Sequence, residues 1–232
     1  MLTQDLMERL DVPKGWRTEI IDGNIVVSFP QTIGHAHRVS RINMVVTRAE
    51  PTGSIALQWS TVEFAATGDR YVPDLTVLPE SVVDGEGWNG PDWIRPAEAL
   101  ALAVEVVYPS SRLHDWQAKV KGYATAGVPL YLVIDPHKSE IALYSNPEKG
   151  EYKDVARAVR GASVKLPEPF NLEIEATPLL TWQHSCGGFT GPTRPGTSPR
   201  TPTAPRGCPP GGPGPRGPRR SGPPAPAPSG RA

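Results

Sequence analysis

Residues 99–136 read ALALAVEVVYPSSRLHDWQAKVKGYATAGVPLYLVIDP, and this stretch decides the fold. Ala99 to Val107 is a nearly continuous apolar run with one acid inside it, Glu105, the pattern of a strand covered on both faces. Pro109-Ser110-Ser111 breaks the run. Leu113, Trp116, Val120, Tyr123 and Ala124 then give a helix its apolar stripe, and Gly127 supplies a C-terminal stop. Leu130 to Asp135 is a second buried strand, so the stretch is a strand-helix-strand unit.

Working upstream, Arg17–Ile21 and Ile25–Phe29 flank Asp22-Gly23-Asn24, the strongest hairpin signal in the chain. Between Gly34 and Glu50 the residues Val39, Ile42, Val45, Val46 and Ala49 recur at three- and four-residue spacing, which predicts a helix with one buried face. Ile55–Trp59, Thr61–Ala66 and Leu75–Leu78 read as strands, and Pro79–Pro96 as a long loop. Downstream, Glu140–Ser145, Tyr152–Ala156 and Val164–Leu166 are shorter strands that finish a sheet. The fold class is α/β in the broad sense (α+β): a mixed β-sheet flanked by at least two helices, opened by a β-hairpin, with no internal repeat.

Composition changes abruptly near Trp182. Residues 183–232 hold 14 prolines, 11 glycines and seven arginines with no lysine and no acid, so a folded domain is expected over 1–182 and a disordered tail over 183–232. The formal net charge of +0 hides this division. Removing the tail's seven arginines from the chain's 24 basic residues leaves 17 against 24 acids, an acidic domain bearing an arginine-rich extension. Such a domain is a poor general binder of nucleic acid unless its cleft differs from its average surface. The tail is either a flexible arm that adds electrostatic affinity or an extension without function, and the second reading is favoured. Both cysteines, Cys186 and Cys208, lie in the tail, which excludes a disulfide framework or thiolate zinc site in the domain. No stretch approaches the roughly 18 apolar residues of a membrane span, and a cytoplasmic protein is expected.

Two acids occupy places that need a physical reason. Asp74 follows Pro73 at the mouth of the strand Leu75–Leu78, and Glu105 interrupts the most hydrophobic strand of the chain. A buried carboxylate requires a cationic partner, a metal, or a strand end that opens into a cleft. A structural ion pair with Lys119 or Lys121 is the plain alternative to a metal site. Ser110-Ser111 lacks a nucleophile elbow and reads as a helix cap, Asp115 as a modest i,i+4 partner of Lys119, and Asp135-Pro136 as a turn. His35 and His37 open the first long helix and read as solvated. There is no phosphate-cradling glycine loop, dinucleotide fingerprint, His-Glu-x-x-His or paired Cys-x-x-Cys.

Glu105-Val106-Val107, Tyr108-Pro109-Ser110-Ser111 and Asp115-Trp116-Gln117-Ala118-Lys119 resemble the Uma-type family of restriction endonucleases, within the PD-(D/E)xK nuclease superfamily. The resemblance extends to residues 19–26, Pro73-Asp74-Leu75, Tyr123, residues 126–131 and Asp135-Pro136, and covers roughly Pro13 to Trp182. It implies a restriction-endonuclease-like fold and hydrolysis of DNA phosphodiesters. Asp74 and Glu105, with the backbone carbonyl of Val106, match the ligands of a magnesium (or manganese) ion. The superfamily's usual lysine position, two residues after the acid, holds Val107; the family pattern moves the lysine to the following helix, where Lys119 matches it. Glu19 matches a recurrent acid, with a cross-strand ion pair as its plain alternative. The implied partner is DNA as substrate, without a membrane, with a homodimer as the candidate assembly. Two other readings stand beside this: a nuclease-fold module that binds DNA or protein with little turnover, and a hydrolase of some other phosphodiester.

Overall fold

The computed structural model describes residues 3–83 and 94–181; the tail, and residues 84–93 of the expected loop, lie outside that range. A short helix, α1 (Thr3–Glu8), precedes the hairpin of β1 (Arg17–Ile21) and β2 (Asn24–Ser28). Asp22 and Gly23 carry φ of 50° and 72°, the left-handed backbone a two-residue hairpin turn requires. Helix α2 (Ile33–Val46) is capped by Thr32, whose hydroxyl accepts the His35 N–H, and buries His35, Val39, Ile42 and Val46.

Strands β3 (Ser54–Leu57), β4 (Thr61–Phe64), β5 (Asp69–Tyr71) and β6 (Leu75–Pro79) follow. The first of these stops at Leu57 rather than Trp59, because Trp59 takes a φ of 59° and turns the chain. The segment expected as an uninterrupted loop contains helix α3 (Glu80–Val83) and strand β7 (Ile94–Pro96). The deciding stretch supplies β8 (Leu102–Val106), a π-helical turn over His114–Ala118, helix α4 (Lys119–Thr125) and β9 (Leu130–Asp135). Then come β10 (Glu140–Glu148), β11 (Glu151–Val159), β12 (Ser163–Leu166), β13 (Leu172–Glu175) and helix α5 (Thr177–Leu180).

Instead of one sheet there are two large ones and a ribbon. The five-stranded sheet runs β2-β1-β5-β4-β7, the six-stranded sheet β11-β10-β9-β8-β6-β3, and β12 pairs with β13. Both large sheets are mixed: β4 with β7 and β8 with β9 are the parallel pairs. A parallel neighbour requires a crossover, and α4 provides the one between β8 and β9.

Strand β8 is covered on both faces, as its unbroken apolar run requires. Leu102, Val104 and Val106 pack with Val39, Ile42 and Val46 of α2 in one buried cluster. Ala103 and Val107 belong to the other, with Tyr71, Tyr123 and Tyr131. Glu105 shares this second face by the two-residue strand period. Phe64, Tyr71, Tyr123 and Tyr131 form a ring-to-ring chain with centroids 4.2–5.5 Å apart, which fixes α4 against both sheets.

Gly122 makes that approach possible: a Cβ there would run into the hydroxyl and ring edge of Tyr71, which is fully buried. Gly122→Ala is expected to cost about 1–3 kcal/mol by overpacking, despite alanine's better helix propensity. Urea denaturation checks this; an unchanged or raised midpoint would show that α4 is not held at that distance.

Candidate active site

Lys119 is the first residue of α4 and is only 2% exposed. Its N–H bonds to the His114 carbonyl, an i→i+5 bond that inserts an extra residue into the helical register just before it. The insertion explains a misplaced expectation: Leu113, assigned to the apolar stripe, is 71% exposed, and the inward face carries Asp115, Lys119 and Tyr123. Asp115 is the i,i+4 partner of Lys119 and is itself a buried carboxylate.

The ammonium meets three acids. Lys119 Nζ lies 2.7 Å from Glu105 Oε1, 2.9 Å from Glu19 Oε1 and 3.5 Å from Asp115 Oδ1, and all four side chains are buried. Glu19 Oε1 also accepts the Val72 N–H at 2.8 Å, and Ser111 Oγ donates to Asp115 Oδ2. Ser111 thus orients an acid besides accepting the Tyr108 N–H at 3.2 Å near the helix start. Lys121, the other cation considered for Glu105, is exposed. Burial alone would lower the Lys119 pKa, but Glu105, Glu19 and Asp115 outweigh it and hold it well above the ordinary lysine value. Burial pushes the Glu105 and Asp115 carboxyls up, with Lys119 only partly opposing it.

Asp74 immediately precedes the neighbouring strand, β6. Leu75 pairs with Val104, so Asp74 stands opposite Glu105 at the next step; its N–H reaches the Val104 carbonyl and its Oδ2 accepts the Val106 N–H at 2.8 Å. Oδ1 accepts from Arg17 at 3.1 Å and Gln31 at 2.9 Å, and His35 Nε2 lies 3.0 Å away. Burial would raise the Asp74 pKa, but His35, Arg17 and Gln31 prevail and hold it well below the usual carboxylate range. His35, read from sequence as solvated, is 5% exposed, and only His37 faces solvent. No apolar neighbour in the sequence signalled its burial; its place one turn before Val39 on the buried face of α2 is the clue that was there.

Asp74, Glu105, Val106, Glu19 and Lys119 all line one cavity of about 40 Å³, which Arg17, His35 and Asp115 also border. Four carboxyl groups face two permanent cations there, so with all four ionised the excess is two negative charges apart from His35. Buried Asp115 Oδ1 and Gln31 Oε1 have no hydrogen-bond donor among the described residues. All-oxygen donors with that charge excess fit a hard divalent cation. Among the described residues no three histidine, cysteine or acidic side chains stand gathered as a ready-made ligand set; Asp74 and Glu105 are each held by their own cations. Val107, two residues after Glu105 on the same face, is 2% exposed within the second cluster.

The family profile described as "Putative restriction endonuclease", Uma2, matches residues 4–181. The chain belongs to this family. Its Uma2 fold is similar to the crystal structure titled "a putative nuclease belonging to DUF820 from Anabaena variabilis ATCC 29413", with a TM-score of 0.62 at 17% identity, covering 78% of this chain and 97% of that one. No curated protein matches the chain. Family and architecture together make this a nuclease-type fold, which implies a nucleic-acid substrate. No helix among the described residues is long and apolar enough to cross a membrane.

Lys119→Met would leave three buried acids without their ammonium, at a cost of about 3–5 kcal/mol at neutral pH. Glu105 and Asp115 have folded-state pKa values raised above their unfolded ones, so their contribution is fully present below the ordinary carboxylate value of about 4 and is lost as pH rises through the folded values. The variant's deficit should therefore be smallest in acid and widen toward neutrality. Urea titrations across that range measure it, and a pH-independent deficit would mean that the acids do not depend on Lys119.

Proposed function

We propose that this Uma2 chain is a divalent-metal-dependent DNA endonuclease whose site is Asp74, Glu105 and Lys119, with Glu19 supporting the lysine. The observation that carries the reading is the shared cavity in which four carboxylates face two fixed cations, with Lys119 Nζ 2.7 Å from Glu105 Oε1. Asp74, Glu105 and the Val106 carbonyl would hold magnesium or manganese. When bound, the ion supplies a Lewis acid for a phosphoryl oxygen and a lowered pKa for water.

Lys119 remains an ammonium at neutral pH, since three acids hold its pKa above the ordinary value. It therefore acts as a hydrogen-bond donor and not as a base. It orients the attacking water and faces the negative charge that develops on the pentacovalent phosphorus. Glu19 and Asp115 fix its direction, at 2.9 and 3.5 Å. Arg17 and Gln31 keep Asp74 ionised and aimed, so the acid enters catalysis pre-oriented.

Purified chain incubated with DNA and magnesium or manganese is expected to cleave it. Lys119→Ala should lower kcat by about 10²–10³-fold, the usual loss of one charge-stabilising donor, and Glu105→Ala should abolish calorimetric manganese binding. Cleavage that survives both substitutions would sink the assigned site. Because Glu105 must shed a proton to serve as a ligand and burial has raised its pKa, manganese affinity should rise with pH; flat affinity through the acidic range counts against Glu105 as a ligand.

Val107 and the acidic balance of residues 1–182 favour a second reading, a DNA- or protein-binding module with little turnover. Salt-sensitive DNA binding without any manganese binding would support it.

A further inference from the structure

We propose that the N-terminus of α2 and His35 form a binding site for a backbone phosphate of the substrate, adjoining the phosphate that is cleaved; the inference rests on the nuclease reading and specifies how its substrate is gripped. The 14-residue helix has no acid in its first turn. Its Thr32 hydroxyl takes the His35 N–H and the Thr32 carbonyl takes the Ala36 N–H, while among the described residues the amides of Ile33 and Gly34 have no partner. Unpaired amides at the positive end of a helix dipole attract an anion.

The second observation is His35 itself. Its side chain is 5% exposed, yet among the described residues ring nitrogen Nδ1 has no hydrogen-bond partner. Burying a ring nitrogen with nothing to bond is costly. Nε2 faces Asp74 Oδ1 at 3.0 Å, which leaves Nδ1 for something else. His35 borders both the 40 Å³ cavity and a groove of about 660 Å³, and Val106 and Tyr108 border both as well. Ile33 and Gly34 line the groove alone, with Arg38, whose Nη1 donates to the Gly34 carbonyl at 2.9 Å.

The cavity is far too small for a nucleotide, so a strand that places one phosphate against Asp74 and Glu105 must continue outside it. The groove that shares a wall with the cavity is where it continues, and the α2 N-terminus is the anion-attracting element on that wall. This also answers the charge problem: in an acidic domain, phosphate affinity here comes from amides and imidazole instead of a field of lysines.

The test is titration of the full chain with inorganic phosphate, followed by amide and imidazole nitrogen spectra, beside Gly34→Asp. An acid in the first helical turn suits the dipole, so the variant should fold and melt at least as well as the parent, while its charge repels phosphate. The expected result is movement of the Ile33 and Gly34 amides and of His35 Nδ1, with affinity weakened roughly fivefold or more in Gly34→Asp. Unmoved amides, or equal affinity in both proteins, overturn the inference. Manganese calorimetry and DNA cleavage on the same samples separate the two readings. Phosphate bound at α2 without manganese binding keeps this site and removes the metal-dependent one. Unchanged KM for DNA in Gly34→Asp removes this site and leaves the nuclease standing.

Discussion

One ammonium holds the pocket together. Lys119 Nζ contacts Glu105, Glu19 and Asp115, which arrive from β8, β1 and the π-helical turn, so a single buried charge links the two large sheets to the helix that crosses from β8 to β9. Taking an ammonium and three carboxyl groups out of water is costly, and their mutual attraction offsets it only if the geometry is tight. The surrounding aromatic wall provides that tightness, with Lys119 Nζ 5.7 Å from the Tyr71 ring centre. Gly122 lets the wall close. Remove the lysine and the acids have no reason to be buried; remove the acids and the lysine has none.

Asp74 obeys the opposite logic from Glu105 although the two stand opposite each other. Asp74 is hydrogen-bonded by Arg17, Gln31 and a backbone amide, and burial is overruled. Glu105 shares its one cation with two other acids, and burial wins. Neighbouring carboxylates with pKa values driven apart can do different work at one pH. A fixed anion and a proton-sensitive one across a single strand pair is the arrangement that burial and partner count together produce.

Much of this was legible because it rests on patterns that physics makes local. The unbroken apolar runs of β8 and β9 and the left-handed turn at Asp22-Gly23 leave little choice of structure. Where the reading failed, the cause lay elsewhere in space. β5 is three residues with two charges, so no apolar run announced it; its strand character comes from partners on β1 and β4. The long loop held β7, which exists because β4 offers it an edge. Asp115 carries only the i,i+4 spacing of an ordinary helical ion pair, and His35 only its one-turn spacing to Val39. Their burial is a property of what faces them, an ammonium in one case and a carboxylate in the other. Glu19, Asp74, Glu105 and Lys119 could be named from the chain, yet nothing in the chain stated that one cation would serve Glu19, Glu105 and Asp115 together.

The π-helical turn has a wider consequence. By adding a residue to the register just before Lys119, it brings an ammonium from a helix to a strand carboxylate while valine closes the strand position two residues along. The contact joins residues 14 positions apart, so a short acid-to-lysine interval in the sequence does not describe it; what describes it is a distance, an ammonium within hydrogen-bonding reach of an acid in a doubly covered strand.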